Sequence, residues 1–415
     1  MMQIIFLFTL FIFSLTAYDV PLFYRAQPLF QEPRFEKPYL TTLDFTLSGG
    51  STNCARNCAG KKVPLGNIFG IINIKNLALG IPNLNQSNPI DQILINLQNL
   101  PDNDCFGKLS INGHFEILEL VFNGIQNFDK GFFSEFLLPI RRLEISNVNR
   151  TDLSPTDGEF PNKNTIEWQQ FLGQFCPFFK HFNLNTGSFK EFFTGNITFF
   201  AGWTKNYEYT THLDFVDTTL KVGLQLPTAS DPRENHIFNL STGYEGFGVP
   251  VVWQFSIGAY EWLTVGAQVD GLFLFNDIVP MRIKTDKNQS GLIKIFKDNV
   301  KIDQGTAWHI GTYLKADHII RGFSFLLGYS YDRKEADRVI KTCSKIDPEI
   351  VNSDPSLQGW SMHTLHLNIE YDFESESNPH GPRIGFVYNR QLAGKNVFST
   401  SLESGYIGTD LCWKF

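Results

Sequence analysis

Side chains that could carry out covalent catalysis are present, but they do not form a known catalytic motif. No Gly-x-Ser-x-Gly sequence occurs, and the nearest string, GWSMH at residues 359–363, lacks the second glycine. We interpret that string as a turn at an interface. The glycine-rich run at 243–248 has no helical pattern after it, so it is not a phosphate-binding loop. We predict that the chain is not an enzyme and uses no cofactor.

The six cysteines, at positions 54, 58, 105, 176, 343 and 412, could instead form disulfides or bind a metal. A bridge from Cys54 or Cys58 to Cys105 would close one long segment, as disulfides do in exported chains. Zinc binding through the CxxxC spacing is disfavoured because no His or Cys pair nearby completes four ligands. We predict no metal site, and we expect Cys412 to pack as a small residue facing a lumen.

Composition excludes several broad classes of protein. The 415 residues carry 35 Lys and Arg against 42 Asp and Glu, a net charge of −7 that does not suit a nucleic-acid-binding protein. Charged residues make up only 19% of the chain and aromatic residues 14%, so the chain is not disordered. A mean hydropathy of −0.14 is too polar for a bundle of membrane-spanning helices.

The N-terminus predicts export. Residues 4–15 form an apolar run that fits the core of a signal peptide and is too short to span a membrane as a helix. We expect cleavage after Ala17, although Met1, Met2 and Gln3 place no basic residue before the run. Residues 1–17 are thus a predicted signal peptide, and 18–38 are a predicted N-terminal periplasmic extension.

The elements that must position any site are β-strands, because apolar and polar residues alternate along much of the chain. Leu365, Leu367, Ile369 and Tyr371, for example, alternate with His366, Asn368 and Glu370. Counting such runs predicts twelve strands, with fourteen as an alternative. They are placed near 39–50, 106–123, 132–149, 194–206, 211–226, 243–258, 262–282, 306–317, 321–333, 359–373, 382–391 and 400–415.

The connections between these strands alternate in length. Short connections at 126–130, 207–210, 259–261, 318–320 and 374–381 alternate with long ones at 51–105, 150–193, 227–242, 283–305 and 334–358, and 392–399 is a short exception. This alternation predicts an all-β fold, a transmembrane antiparallel up-and-down β-barrel with long external loops and tight periplasmic turns. In hydrocarbon every backbone polar group must be paired, which requires the sheet to close on itself.

Aromatic residues indicate which face of each strand meets lipid. They cluster at both predicted ends, as in the girdles at membrane interfaces. One end holds Trp203, Tyr207, Tyr209, Tyr260, Trp262, Trp413 and Phe415, and the other holds Tyr244, Tyr329, Tyr331 and Trp360. The apolar face therefore points outward and the polar face lines a lumen.

The final segment, Ile407 to Phe415, is apolar at alternate positions and ends on Phe. It resembles the last strand of Gram-negative outer-membrane β-barrel proteins of porin type, which implies that the barrel-assembly machinery reads Trp413 and Phe415. The resemblance also implies a location in the cell outer membrane with lipid as a partner. Residues 39–415 then form the barrel.

A weaker resemblance is to the long-chain fatty-acid transporter group, from the turn Leu226-Pro227-Thr228. That group carries an N-terminal plug, whereas the compact insertion here is at 51–105, after the first strand, and includes a predicted helix at 91–100. The insertion could fold into or over the lumen, or cap it externally without gating it.

Two Asp/His pairs, His212 with Asp214 and Asp317 with His318, are similar to the pairs of outer-membrane aspartyl proteases. Both lie near predicted periplasmic turns, whereas such proteases cut outside the cell. Catalysis is therefore disfavoured at either pair.

The predicted lumen is polar and of mixed charge, so the sequence leaves ion selectivity open. The expected pore-lining residues are Arg142, Glu144, Lys221, Gln268, Asp270, Arg282, Lys284, His309, Lys315, Asp317, His366, Glu370, Asp372 and Arg383. This lining predicts a porin-like channel for passive diffusion of a small solute. The alternatives are a transporter of an apolar ligand gated by the 51–105 insertion and a surface adhesin, and a homo-oligomer stays possible.

Overall fold

The computed structural model describes residues 39–412, apart from 82–83, 85, 102–104, 157–159, 209–212, 231–233, 245, 261, 321, 345 and 374–381. The predicted signal peptide at 1–17, the predicted extension at 18–38, and both Trp413 and Phe415 lie outside the described residues.

Strands dominate the described part of the chain. They are β1 (Leu40–Thr52), β2 (Cys54–Arg56), β3 (Lys62–Pro64), β4 (Ile72–Asn73), β5 (Lys108–Asn127), β6 (Phe132–Asp152), β7 (Phe189–Thr194), β8 (Thr198–Glu208), β9 (Phe215–Gln225), β10 (Gly248–Ala259), β11 (Leu263–Leu274), β12 (Asp277–Arg282), β13 (Lys297–Asp303), β14 (Ala307–Ile320), β15 (Phe323–Lys334), β16 (Arg338–Thr342), β17 (Trp360–Asp372), β18 (Arg383–Lys395), β19 (Val397–Phe398) and β20 (Ser401–Cys412). The helices are α1 (Ile74–Leu79), α2 (Pro89–Gln98), α3 (Ile166–Gly173), α4 (Phe175–His181) and α5 (Pro348–Asn352).

Twelve of these strands close into one antiparallel barrel. Around the barrel the order is β1, β5, β6, β8, β9, β10, β11, β14, β15, β17, β18 and β20, so each strand pairs with its neighbour along the chain. The barrel is closed by β20 on β1, in a register that places Leu40 opposite Cys412 and Ser51 opposite Ser401. The predicted up-and-down barrel of twelve strands is confirmed.

The barrel wall has the polarity of a membrane protein. On β9, Leu220, Val222 and Leu224 point outward and are 44–48% exposed. Thr219 and Lys221, which alternate with them, point inward and are at most 7% exposed. Other strands repeat this pattern, with outward apolar residues such as Phe255 and Ile369. Apolar residues outside and polar residues inside suit strands that face lipid tails.

The two ends of the barrel differ. Connections at 128–131, 209–214, 260–262, 321–322 and 373–382 are short and lie together at one end, here named the short-turn end. The connections at 53–107, 153–197, 226–247, 275–306 and 335–359 are long and lie together at the other end, here named the long-loop end. The lengths alternate as the sequence predicts.

The long connections do not hang as separate loops. Their apolar side chains pack into one hydrophobic core with the outer ends of β5 and β6, and this assembly is here named the cap. The insertion 53–107 contributes Leu65, Ile72 and Leu94, and α3 and α4 contribute Trp168 and Phe178, all of them fully buried. Burial of this apolar surface holds the connections together as a folded unit.

The cap core reaches down to the barrel wall at Ile117, Leu143 and Leu402. Ile117 pairs with Leu143 across β5 and β6, and the next inward pair below them is Glu119 with Arg141. The apolar core of the cap therefore gives way directly to the polar interior of the barrel.

Candidate functional site

The interior of the barrel holds buried ion pairs. Arg141 on β6 lies opposite Glu119 on β5, and its Nε donates to a Glu119 carboxylate oxygen at 2.6 Å. The Nη1 of Arg141 also donates to the backbone oxygen of Thr242, at 2.5 Å, in the long connection 226–247. Both charged side chains are at most 6% exposed. One guanidinium thus joins the barrel wall to the cap.

A second buried pair spans the neighbouring strands. Lys221 Nζ on β9 lies 2.6 Å from a carboxylate oxygen of Glu135 on β6. The Phe200 ring on the intervening β8 lies beneath the ammonium, 4.8 Å from its centroid. Buried charges of this kind persist only when they are paired, so the contact fixes both side chains against the wall.

On the opposite wall, imidazole and amide groups form hydrogen-bonded chains. His309 Nδ1 lies 2.6 Å from Asp332 Oδ1 on the adjacent strand. His366 contacts Asn389 at 2.7 Å and Ser330 at 2.8 Å through its two ring nitrogens.

On β10 and β11, side-chain amides form a further set of hydrogen bonds. Gln254 donates to Gln268 at 2.9 Å, and Gln268 donates to both oxygens of Asp270, at 2.8 and 2.9 Å. Gln268 and Asp270 are at most 2% exposed. Hydrogen-bonded polar side chains therefore cover this part of the inner wall.

Arg383 forms an ion pair across a glycine. Its Nη2 lies 3.0 Å from Asp44 Oδ1 and 3.6 Å from Asp410 Oδ1. Arg383 and Asp44 both lie level with Gly408 on the strand between them. A Cβ at position 408 would lie 2.0 Å from Asp44 Oδ1, so only glycine leaves room for the pair.

Toward the short-turn end the lumen opens to solvent. Lys315 and Asp317 on β14 are paired at 2.7 Å, and their side chains are 32% and 23% exposed. Glu370 on β17 accepts a hydrogen bond from the Tyr406 hydroxyl and is half-buried. These residues border the water-accessible mouth of the lumen at this end, here named the vestibule.

Ten of the fourteen residues predicted to line a pore lie on the inner wall. They are Lys221, Gln268, Asp270, His309, Lys315, Asp317, His366, Glu370, Asp372 and Arg383. They do not form one site, because they are distributed from the vestibule to the level beneath the cap.

The prediction that Arg142 and Glu144 line the lumen is wrong. Odd-numbered residues of β6 are buried and face inward, which places these two even-numbered residues on the outer face. There Arg142 pairs with Glu144, and Lys190 on β7 lies 3.3 Å from the same carboxylate. The same error of phase explains why Arg141, Glu119 and Glu135 were not predicted to face the lumen. A one-residue change of phase exchanges the two faces of a strand.

The placement of Arg282 and Lys284 in the pore is also wrong, because the predicted strand at 262–282 ends at Leu274 and the chain then enters the cap. Arg282 donates to the backbone oxygens of Glu234 and Ile295, at 2.5 and 2.6 Å. Burial lowers the pKa of Arg282 and of Lys284, and Lys284 lies near the buried pair of Lys294 and Asp354.

The predicted disulfide is absent, since Cys54 and Cys58 are free thiols. Cys54 is held in a small separate sheet, because β2 pairs with β3 on one side and with β19 on the other, and Cys58 is an exposed thiol just after β2.

Of the two Asp/His pairs, the side chains of His212 and His318 lie outside the described part of the structure, and Asp317 binds Lys315. That neither pair is catalytic stays a prediction. Among the residues that the structure describes, no group of three or more His, Cys, Asp or Glu side chains is placed to hold a metal ion.

Among the described residues the predicted aromatic girdles are present with two exceptions, whereas Tyr209, Trp413 and Phe415 lie outside the described residues. Trp203, Tyr207 and Trp262 point outward near the short-turn end, and Tyr329 points outward near the other. Trp360 is instead only 7% exposed, and Tyr244 packs against Leu272 and Leu274. Trp308 and Phe273, which are in ring contact, are outward aromatic residues near the long-loop end.

A closed barrel with an apolar exterior, outward aromatic rings and a polar interior is a β-barrel protein of the Gram-negative outer membrane. By the general arrangement of such barrels, the short turns face the periplasm and the cap faces the exterior. None of the described helices has the length and apolar character that a membrane crossing needs.

No family model matches the chain, and neither does any curated protein. Solved outer-membrane proteins are similar to it at low identity. An outer-membrane channel from Pseudomonas putida F1 is 11% identical with a TM-score of 0.49, the match covering 92% of this chain and 100% of that one. The translocator domain of the autotransporter NalP from Neisseria meningitidis is 8% identical with a TM-score of 0.35, over 92% and 90% of the chains.

A FadL homologue from Pseudomonas aeruginosa is 10% identical with a TM-score of 0.33, over 91% of each chain. At TM-scores below 0.5 these likenesses carry no argument about function. The function is inferred instead from the geometry of the lumen and the cap.

Proposed function

We propose that the protein is an outer-membrane channel for small polar solutes, and that the cap closes its outer end. The observation that carries the proposal is the inner wall, which holds polar and charged side chains from the vestibule up to Arg141, directly beneath the cap. A barrel that served only as an anchor would not need ionisable groups along its whole interior, where burial of a charge is costly.

The prediction of a porin-like channel needs one refinement. The inner wall meets the apolar core of the cap at Ile117, Leu143 and Leu402, so this conformation is closed on the outer side. Passage requires the cap to shift relative to the wall. The contact that resists this shift is the guanidinium of Arg141, which binds Glu119 on the wall and Thr242 in the cap.

The apolar-ligand alternative has less support in this geometry. It requires the 51–105 insertion to act alone as a gate, whereas this insertion shares its core with α3, α4 and the 275–306 connection. Side-chain contacts such as Asn76 to the Asn288 backbone and Ser290 to the Ile71 backbone join the insertion to that connection. Gating by the cap as one unit fits these contacts better.

Arg141 and Arg142 offer a matched test, since adjacent arginines face opposite sides of the wall. We expect Arg141→Gln to raise the open fraction of single channels in a planar bilayer by about tenfold, as loss of ~1.4 kcal/mol from the closed state would do. Arg142→Gln should leave the open fraction unchanged, because Arg142 faces outward.

Removal of one partner from a buried pair can prevent folding, so a second variant is needed. Replacing both partners, in Glu119→Leu with Arg141→Met, removes the contact without leaving a buried charge. An increase in open fraction in either folded variant supports the proposal. An equal open fraction in the folded wild type, both variants and Arg142→Gln would contradict it.

A further inference from the structure

A groove of about 700 Å³ lies in the cap, and its lining includes none of the inner-wall residues named above. One wall is the outer end of β6, from Val148 to Arg150, and another is α4. The third wall consists of residues 183–187 together with Asn235 and Ile237. The volume lies within the range of ~300–1,000 Å³ that is usual for small-molecule sites.

The third wall is held in place before any ligand arrives. Residues 185 and 236 form a parallel bridge, in which Asn185 N donates to Asn235 O at 2.6 Å and Ile237 N donates to Asn185 O at 3.0 Å. Arg282 lies behind both segments and donates to the backbone oxygens of Phe182, Asn183 and Glu234. A preorganised wall reduces the entropy lost on binding.

The polar lining of the groove has two chemical features. Four asparagine side chains line it, at 149, 183, 185 and 235. Side-chain amides both donate and accept hydrogen bonds, as neighbouring hydroxyl groups of a sugar do. Part of this capacity is used within the protein, since Asn149 bonds Asn112 and the Asn147 backbone, and Asn185 Oδ1 accepts from Gly187 N. Arg150 and Lys180 add two positive charges, and none of the described lining residues is Asp or Glu.

The floor of the groove is apolar. Ile111, Leu184 and Ile237 contribute aliphatic surface that is at most 3% exposed. Arg150 is fixed over the Phe175 ring, with its guanidinium carbon 4.5 Å from the centroid, and it donates to the Leu172 backbone oxygen at 3.0 Å. An apolar floor suits the C–H face of a sugar ring, since it removes that face from water.

We propose that this groove binds an acidic sugar, in which a carboxylate or phosphate group meets Lys180 and Arg150 while ring hydroxyls meet the asparagine amides. The site faces the exterior and shares no residue with the lumen. It is therefore a binding function beyond conduction, and it would remain if the channel proposal failed.

Calorimetry on the full-length protein in detergent tests the proposal with four probes. They are digalacturonate, glucose 6-phosphate, neutral lactose and citrate, which is an anion without a sugar ring. We expect one or both acidic sugars to bind at least about tenfold more tightly than lactose, which lacks a charge to meet Lys180 and Arg150, and than citrate, which lacks the ring hydroxyls that meet the amides. The first two probes distinguish a carboxylate ligand from a phosphate ligand.

The matched variants are Lys180→Gln, inside the groove, and Lys190→Gln, on β7 beside Glu144. Lys180→Gln should weaken the acidic sugar about tenfold, and Lys190→Gln should not change its affinity. Cys176 in the groove wall and Cys343 elsewhere in the cap are both exposed thiols. Bound sugar should slow alkylation of Cys176, read by peptide mass spectrometry, and leave Cys343 unaffected.

Three outcomes would overturn the proposal. The first is no binding of either acidic sugar at millimolar concentration, and the second is equal affinity for lactose. The third is binding that neither weakens in Lys180→Gln nor protects Cys176.

Discussion

At the scale of single residues, this protein places its charges where a membrane barrel can tolerate them. Glu119, Glu135 and Asp44 are at most 4% exposed, and each lies within 3.0 Å of an Arg or Lys nitrogen. A lone buried carboxylate would instead lose its hydration without compensation. The Glu119 pair therefore links adjacent strands through the interior, and the other two pairs each link strands that are separated by one strand of the sheet.

Gly408 provides a test of this arrangement. We expect Gly408→Ala to destabilise the barrel by about 1–3 kcal/mol, since the added methyl would displace the Asp44 carboxylate from Arg383. The measurement is the temperature at which the folded band disappears in heat-modifiable gel mobility.

The matched control for Gly408→Ala lies on the same strand. Gly405 faces outward, and a Cβ there would meet only a backbone oxygen at 4.0 Å. Gly405→Ala should leave the transition temperature unchanged. If both variants had the transition temperature of the wild type, the pair across Gly408 would contribute nothing to stability.

At the scale of elements, α3 and α4 show how the cap acquires a core of its own. Trp168 and Phe171 on α3 stack with centroids 5.4 Å apart, and Phe171 also contacts Phe175 and Phe178 on α4. The abundance of Phe in the sequence partly reflects this soluble-type core. An outer-membrane barrel needs Phe on its lipid face, and this chain needs it in the cap as well.

We predict that Phe171→Ala loosens the cap while the barrel stays closed. Truncation of a fully buried Phe costs about 3–5 kcal/mol, and Phe171 lies far along the chain from the barrel strands. Limited trypsin digestion of the folded protein should cut the 153–197 connection faster, while the heat-modifiable gel shift of the barrel persists.

Ile166, at the start of the same helix, is the control because it is 71% exposed. Ile166→Ala should be cut at the wild-type rate. Loss of the folded barrel band in Phe171→Ala would show that the cap and the barrel do not fold as separable units, contrary to this prediction.

For the molecule as a whole, the charged side chains on the inner wall can be counted. Ten buried or half-buried carboxylates lie on the inner wall, namely Asp44, Glu119, Glu135, Asp217, Asp270, Asp317, Asp332, Glu370, Asp372 and Asp410. Five cationic side chains accompany them, namely Arg141, Lys221, Lys315, Lys334 and Arg383. The described interior thus carries an excess of negative charge, which attracts cations.

We therefore predict that the open channel selects cations over anions. The reversal potential across a planar bilayer under a KCl gradient should have the sign of K⁺ selectivity. Glu370→Gln should reduce the reversal potential, because this half-buried carboxylate borders the vestibule. Glu403→Gln, on the outer face of β20, should not change it. Anion selectivity of the wild type would contradict the prediction.

The amino-acid sequence by itself determined the barrel, its twelve strands and the end at which the long connections gather. These features depend on local signals, since period-two alternation and turn composition act over a few neighbouring residues. The inner placement of Gln268, His309 and His366 was within reach for the same reason, because their strands are apolar on one face only.

Which of two adjacent arginines faces inward depends on the pairing of β6 with β5, because residues 136–140 of β6 are apolar on both faces and leave its phase open where Arg141 and Arg142 follow. The cap core, the free thiols of Cys54 and Cys58, and the groove beside α4 depend likewise on segments that are distant in sequence. Such contacts form when the closed sheet brings the long connections to one end, and no local pattern records them.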